Sequence, residues 1–387
     1  MRSQPVVRSD GAYEIADGGR PAGATLGGSR LAVKLLANGS IDAIYSIRAG
    51  ADIVRDLDVH HFDARTGLRL TRGAGTFTLR PECEVHEYAL PGALEVEKST
   101  FILSGRDEPA VCYVSIRARN GGSQSAELDS VAAVRLKRSF ADPIDVRWDD
   151  DIAALVVWSS DDSKVARAVL SSPRPASWAV CGDHSRLLEN RWRGSFDGRI
   201  DAGGVDPLAM LHLRTSIAPG ATSEFWFAVV ELPDGPACIR SVVAKCPRVE
   251  DAFERTRSYY EGLLARTVML SPVGDVDLGL RWAKANMVRV MRETPTGRGF
   301  TNDPARGAAC VGRDSAWFVH GCDWLDPEFS AALLRGFASR QERDGKIVEF
   351  YDLRSGATCD DGLNVNDDTP LFVLAVWHHA VATGDRG

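Results

Sequence analysis

Gly312-Arg313-Asp314-Ser315-Ala316-Trp317, then Asp326-Pro327-Glu328, then Asn364-Val365-Asn366-Asp367-Asp368-Thr369-Pro370-Leu371-Phe372: these three blocks decide the fold of the chain. Each sets charged side chains at the expected start of a helix. Pro370 suits the first helical position, so Thr369 or Asp368 is the expected cap of a helix running to Thr383, with Gly384 as its stop. Asp367 then sits at the lip of that helix. Asp326-Pro327 repeats the signature, and Gly345 reads as the stop of the helix it opens. Phe329, Leu333 and Phe337 recur every four residues, with Leu334 and Gln341 alongside, which is helical periodicity. Asp314 or Ser315 can cap a third helix through Trp317, Phe318 and His320. Charged groups gathered at helix starts, with aromatics beside them, suit an all-α toroid that holds a sugar ring.

Upstream the pattern is β. Leu31, Val33 and Leu35 alternate, Asn38-Gly39 predicts a tight turn, and Ile41, Ala43, Tyr45 and Ile47 carry a return strand. Further short runs at Thr76–Leu79, Ala93–Leu103, Ala110–Arg119, Ala126–Leu136, Ala153–Trp158, Lys164–Leu170, Leu208–Ser216 and Glu224–Leu232 predict a large antiparallel sandwich. Residues 1–28, rich in Gly and polar residues, read as an irregular lead-in. At Pro247 the period changes. Val249, Phe253, Tyr260 and Leu264 share one helical face, which predicts a linker helix, and a second helix is expected from Asp275 to about Arg292. Thr294 to Val311 reads as a long loop feeding the Gly-Arg-Asp block. The expected organisation is multidomain β + α: lead-in 1–28, β-sandwich 29–245, linker helix 246–270, and a partial (α/α)6 barrel 271–387.

At 387 residues the chain has ample length for more than one core, and 44% apolar with 26% charged residues is ordinary for a soluble globular protein. A net charge of −7 argues against nucleic acid or an anionic membrane as the partner, while a neutral carbohydrate is indifferent to it. The first residues lack the apolar core of a signal peptide, and no run reaches membrane-spanning length, so a cytoplasmic setting is expected. The eight cysteines are dispersed without a Cys-x-x-Cys pair and read as reduced, mostly buried thiols. His320, His378 and His379 show no ligand pattern, Trp148-Asp149-Asp150-Asp151 lacks a calcium-loop pattern, and the Gly pairs lack phosphate-loop context. No cofactor and no metal are expected.

The order Gly-Arg-Asp-Ser, Gln-x-x-Asp-Gly and Asp-x-Thr-Pro-Leu-Phe resembles the glycogen-debranching (amylo-α-1,6-glucosidase-like) glycoside hydrolases. That likeness is clear over about residues 275–387 and architectural before them. It implies an (α/α)6 six-hairpin barrel behind an N-terminal β-sandwich. It also implies that Arg313 and Asp314 hold hydroxyls of the sugar at the cleavage point, and that Asp367 is the general acid. Asp368 stands where the family has more often a small residue, which leaves the choice between the two aspartates open. The family's second carboxylate falls late in the barrel, past the last residue of this sequence.

Glycoside hydrolysis needs one protonated and one ionised carboxyl group, about 6.5–9.5 Å apart in an inverting enzyme. A helix N-terminus stabilises the anion, so an acid placed there needs burial and acidic neighbours such as Asp368, Asp360 or Asp361 to keep its proton. Arg313 with Asp314 suits paired hydroxyl contacts. Trp317, Trp324 and Tyr351 are the expected stacking aromatics, and Gln341 a further substrate contact. A closed toroid needs roughly 200 residues, whereas Asp275 to Gly387 offers roughly 110, so the barrel is expected to be completed elsewhere. The sequence reading is thus a glycoside hydrolase acting on α-glucosidic linkages by inversion, lacking its base in this stretch. A disaccharide phosphorylase of similar architecture and a non-catalytic glucan-binding protein are the rivals.

Overall fold

A computed structural model describes residues 6–16, 23–105, 107–136, 143–162, 165–181, 192, 194–203, 207–305, 307–362 and 367–385. The chain forms two compact units, one of Met1–Leu26, Val33–Tyr45 and Ala51–Glu254, the other of Gly27–Ala32, Ser46–Gly50 and Arg255–Gly387.

The first unit is built on two large sheets. One has ten antiparallel strands in the order Val6–Val7, Tyr13–Ala16, Gly75–Leu79, Cys83–Leu90, Leu94–Ile102, Val111–Asn120, Thr222–Leu232, Ala166–Ser172, Ala154–Ser159 and Ile144–Asp149. The other runs Ser177–Cys181, Leu208–Ile217, Ala126–Arg135, Asp56–Asp63, Ile41–Ser46, Leu31–Leu35 and Ala24–Gly27, with Ala51–Val54 added beside Ile41–Ser46. The expected Asn38-Gly39 turn is present. Gly39 takes φ 75°, and the Asn38 carboxamide oxygen accepts the Ser40 amide at 3.0 Å. The predicted strands lie within a few residues of their expected bounds.

The strands differ from the sequence reading in places. Residues 6–16 and 24–27 contribute short strands where an irregular lead-in was expected; the first two pair through a turn at Gly11, where φ is 79°. Ala51–Val54, Asp56–Asp63, Cys83–Leu90, Ile144–Asp149 and Ser177–Cys181 were not predicted; in Asp56–Asp63 and Cys83–Leu90 polar side chains share the buried positions with apolar ones. His61, Glu84 and His86 are all essentially unexposed, so the two-residue period is carried by side chains that do not read as core. His61 reaches across to the Tyr88 hydroxyl at 2.8 Å and to Ser130 Oγ at 2.9 Å.

Six helices follow among the described residues: α1 (Ile239–Val243), α2 (Val249–Leu264), α3 (Gly274–Val290), α4 (Gly312–Cys322), α5 (Pro327–Ala338) and α6 (Asp368–Thr383). Val249, Ala252 and Phe253 at the start of α2 pack on the ten-stranded sheet, over Phe101 and Tyr113. In the second unit Tyr260 and Leu263 pack with Val288 and Leu325. Its main core joins Val319, Phe329, Leu333, Phe337, Tyr351 and Ala375 with Cys310 and Cys322, and both thiols are fully buried filler. The long loop is more regular than expected, since Met291–Thr294 and Gly297–Phe300 form a hairpin and Ala309–Val311 joins a small sheet with Phe350–Asp352 and Thr358–Cys359.

α5 opens as the sequence predicts: Asp326 caps it, accepting the Phe329 amide, and Pro327 leads. It ends at Ala338, well before Gly345, so Gln341 lies outside the helix. There the Gln341 amide nitrogen donates to the Gly345 carbonyl at 2.8 Å, closing a turn that the φ of 93° at Gly345 permits. α4 starts at Gly312, with Val311 in the cap position rather than Asp314 or Ser315. No described helix is long and apolar enough to cross a membrane.

Candidate active site

Strand pairing assembles the site inside the second unit. Ala309–Val311 runs directly into α4 and pairs antiparallel with Phe350–Asp352, Val311 opposite Phe350. The next residues along that ladder are therefore Gly312 and Glu349, and the Gly312 amide donates to the Glu349 carbonyl at 2.7 Å. α6 starts against the same point. Its cap residue is Asp367, whose carbonyl accepts the Leu371 amide, and the Thr369 hydroxyl accepts the Ile347 amide at 3.0 Å. Gly312 is what lets these pieces meet. A Cβ on it would lie 3.0 Å from Asp368 Oδ1 and 3.2 Å and 3.3 Å from the carbonyl oxygens of Val348 and Glu349.

The two adjacent aspartates have unequal surroundings. Asp367 does not cap α6 through its side chain. Its Oδ2 lies 2.5 Å from Arg313 Nη2, and both side chains are about two-fifths exposed. Asp368, the first residue of α6, is 3% exposed and accepts the Arg313 backbone N–H. Its Oδ1 is buried with no hydrogen-bond partner among the described residues. Burial raises its pKa from the ordinary 3.8 to about 6; the charges of Asp367 and then Glu349 add to the rise, and Arg313 opposes it.

Glu349 is the group the sequence reading passed over. It is 3% exposed, and its Oε2 accepts the Asp361 amide at 2.8 Å. Its partner in the cluster, Asp360, is held below the usual carboxylate range by the Lys346 ammonium beside it. The signal for Glu349 in the sequence is a lone acid inside the apolar run from Ile347 to Tyr351, but only the pairing with Ala309–Val311 shows where it points.

The other predicted residues divide. Asp314 stands in the first turn of α4 and accepts the Asn302 carboxamide N–H at 3.0 Å. Trp317 is 59% exposed and one helical turn beyond Arg313, hence on the same face of α4. Trp324 is also exposed, but it follows the far end of α4, roughly 16 Å of helix from Arg313. Tyr351 is 2% exposed, packed edge-on against Phe337 and covered by the Arg340 guanidinium at 4.1 Å. A ring 2% exposed with a guanidinium over one face cannot stack on a sugar, so Tyr351 is a core residue. Gln341, tied to Gly345, is not brought to the Arg313–Asp367 pair by any described contact.

The three histidines each meet a neighbour through Nδ1. His378 Nδ1 and His379 Nδ1 lie 2.8 Å and 2.6 Å from the two oxygens of Asp323, and His320 Nδ1 lies 2.9 Å from the Ala316 carbonyl. Among the described residues no group of three or more His, Cys, Asp or Glu side chains is arranged to hold a metal ion.

No family model matches the sequence, and no curated protein matches it. Solved structures do share the fold. A protein described as a kojibiose phosphorylase from the human microbiome superposes with a TM-score of 0.63 at 8% identity, over 98% of this chain and 57% of its own. A bacterial glucoamylase complexed with acarbose gives 0.54 at 11% identity, over 95% and 59%. The family GH92 inverting mannosidase from Bacteroides thetaiotaomicron gives 0.50 at 9% identity, over 95% and 48%. The chain thus has the fold of carbohydrate-active proteins with a β-sandwich and a helical domain, and spans somewhat more than half the length of the first two.

Proposed function

We propose that the chain carries the acid half of a glycosidase site acting on α-glucosidic bonds of a glucan or oligosaccharide with inversion. Asp368 holds the proton delivered to the leaving glycosidic oxygen, while Arg313, Asp367 and Asp314 take hydroxyls of the sugar at the cleavage point. As the C1–O bond breaks, the Asp368 proton passes to that oxygen. Water attacks C1 from the opposite face and gives its proton to a second carboxylate, a role assigned to no residue of this chain. One observation supports the reading above the rest: of two adjacent carboxyl groups, one is neutralised by a guanidinium and the other is pushed up to about 6 by burial and acidic neighbours. Val373, Leu374, Trp377 and Val381 leave one side of α6 apolar and exposed, and further helices of the toroid would pack there.

Accessibility favours a second assignment, with Asp367 as the acid, because Asp367 is far more exposed than its neighbour. The leaving group separates the two. With the second carboxylate present, loss of the acid lowers turnover of an α-linked glucan by about 10²–10⁴ and spares a substrate whose leaving group needs no proton, such as an α-glucosyl fluoride. Asp368→Asn is expected to show that split. If Asp367→Asn shows it and Asp368→Asn does not, the roles are exchanged. Phosphate-dependent formation of a sugar phosphate would select the phosphorylase instead. Glucan binding without turnover, undiminished in Asp367→Asn, would reduce the protein to a binding module.

A further inference from the structure

The outer face of the ten-stranded sheet carries three rows of side chains that the strand register defines. Cys83, Phe101, Tyr113, Ala228 and Leu170 are successive partners across the strands and form an apolar row under α2. Two residues along, the row is Thr78, Val85, Ser99, Ser115, Trp226 and Ser172. Two further, it is Thr76, Glu87, Glu97, Arg117 and Glu224. Side chains two residues apart share a face, so this face grades from apolar through hydroxyl to charged over about 14 Å.

α2 covers only the apolar row. Beside it lies a cleft of about 800 Å³ with the hydroxyl row as its floor, toward the upper end of small-molecule sites. Phe253 and Glu254 of α2 form one wall and Glu97 and Glu224 the other. Thr78 is 1% exposed, yet its Oγ1 has no hydrogen-bond partner among the described residues. A buried hydroxyl left unpaired is costly, and a ligand hydroxyl would satisfy it. Trp226 is half-buried, its ring edge-on to Tyr113 at 5.7 Å. The lining holds five glutamates against three arginines, which disfavours anions and offers carboxylate acceptors for neutral hydroxyls.

We infer that this cleft binds a neutral oligosaccharide lying across the strands, its hydroxyls on the Thr78–Ser99–Ser115–Ser172 row and one ring on Trp226. Strands lie about 4.8 Å apart, comparable to the advance of one ring in an extended sugar chain, so the neighbouring Ser99 and Ser115 can meet successive rings, with Val85 and Trp226 standing between them and Thr78 and Ser172. The cleft belongs to the sandwich unit, and the inference does not depend on the acid assigned above.

Titration calorimetry of the full chain with maltoheptaose and with cellohexaose as probes tests it. One of the two is expected to bind, with an affinity insensitive to sodium chloride, as a neutral ligand requires. Ser99→Trp fills the cleft at a half-buried position and is expected to remove the binding component that belongs to it. Thr78→Val, which keeps the shape and removes one hydroxyl, is expected to weaken it about threefold to tenfold. Asp367→Asn, which touches only the contacts proposed for the helical unit, should leave the Ser99→Trp-sensitive component of the binding in place. The inference is overturned if neither sugar binds at millimolar concentration, or if Ser99→Trp binds as well as the parent. It is overturned equally if Asp367→Asn abolishes the binding, which would locate the sugar in the helical unit.

Discussion

Asp368→Asn should stabilise the protein at neutral pH and do little in acid. The carboxyl is 3% exposed, and its pKa stands at about 6 against an ordinary 3.8. For an acid whose pKa is raised by folding, the folded state holds the proton between those values while the unfolded state has lost it. Stability is then full below about 4 and falls as pH rises through about 6. A shift of that size corresponds to about 3 kcal/mol at most; screening beside the half-exposed Arg313–Asp367 pair reduces the expected effect to about 1–2 kcal/mol. An amide carries no charge at either pH and can still accept the Arg313 N–H. The assay is urea unfolding of parent and variant at pH 4.5 and pH 7.5, choosing conditions on either side of about 6. The variant should gain about 1–2 kcal/mol relative to the parent between the two conditions. An equal difference at both pH values, or a loss at the higher one, would refute the buried, proton-retaining state of Asp368.

Three further outcomes follow from the same geometry. Removing either neighbouring charge should lower the Asp368 pKa, with Asp367→Asn acting more strongly than Glu349→Gln; carboxyl ¹³C titration by NMR reads both, and the reverse order contradicts the arrangement. Gly312→Ala places a methyl 3.2–3.3 Å from two backbone carbonyls that cannot yield without breaking the ladder, and should cost about 1–3 kcal/mol in chemical denaturation. Lys98 is 1% exposed and donates to the Gly39 carbonyl, with Glu84 buried nearby and pushed up to about 7 by burial. Lys98→Met should destabilise the sandwich by about 3–5 kcal/mol, and adding Glu84→Gln should recover part of the loss.

What the sequence disclosed was local. Asp326-Pro327 marks a helix start because a cap and a fixed φ act within a few residues, whereas α6 starts slightly earlier than expected, at Asp368 with Asp367 in the cap position, so that Thr369 and Pro370 lie inside its first turn. Gly384, with φ 77°, ends α6 for the same reason. What stayed hidden was set at a distance. Cys83–Leu90 turns Glu84 and His86 inward, so its alternation is real but written in polar residues. Glu349 became part of the site only through the pairing of Phe350–Asp352 with Ala309–Val311. Tyr351 and Gln341 show the converse. Both fit a binding pattern in the sequence; packing encloses Tyr351 in the core, whereas Gln341 stays exposed with its amide nitrogen on the Gly345 carbonyl.

An acid at a helix start is a conflict that magnitudes can settle. Asp368 opens α6 and accepts an N–H from the first turn of α4, so two helix N-termini favour its charged form. Each such end contributes about 0.3–1 kcal/mol, up to ~2 in partly buried geometry. Against them stand removal of the carboxyl from water and two acidic neighbours, and the balance falls about two pKa units on the side of the proton. Arg313 sharpens the division, since its side chain neutralises Asp367 while only its backbone amide meets Asp368. The same Gly-Arg-Asp turn therefore pairs one aspartate with a guanidinium and leaves the other, buried, with its pKa raised to about 6. Neither aspartate could be given its state from the helix start alone, since both stand at it.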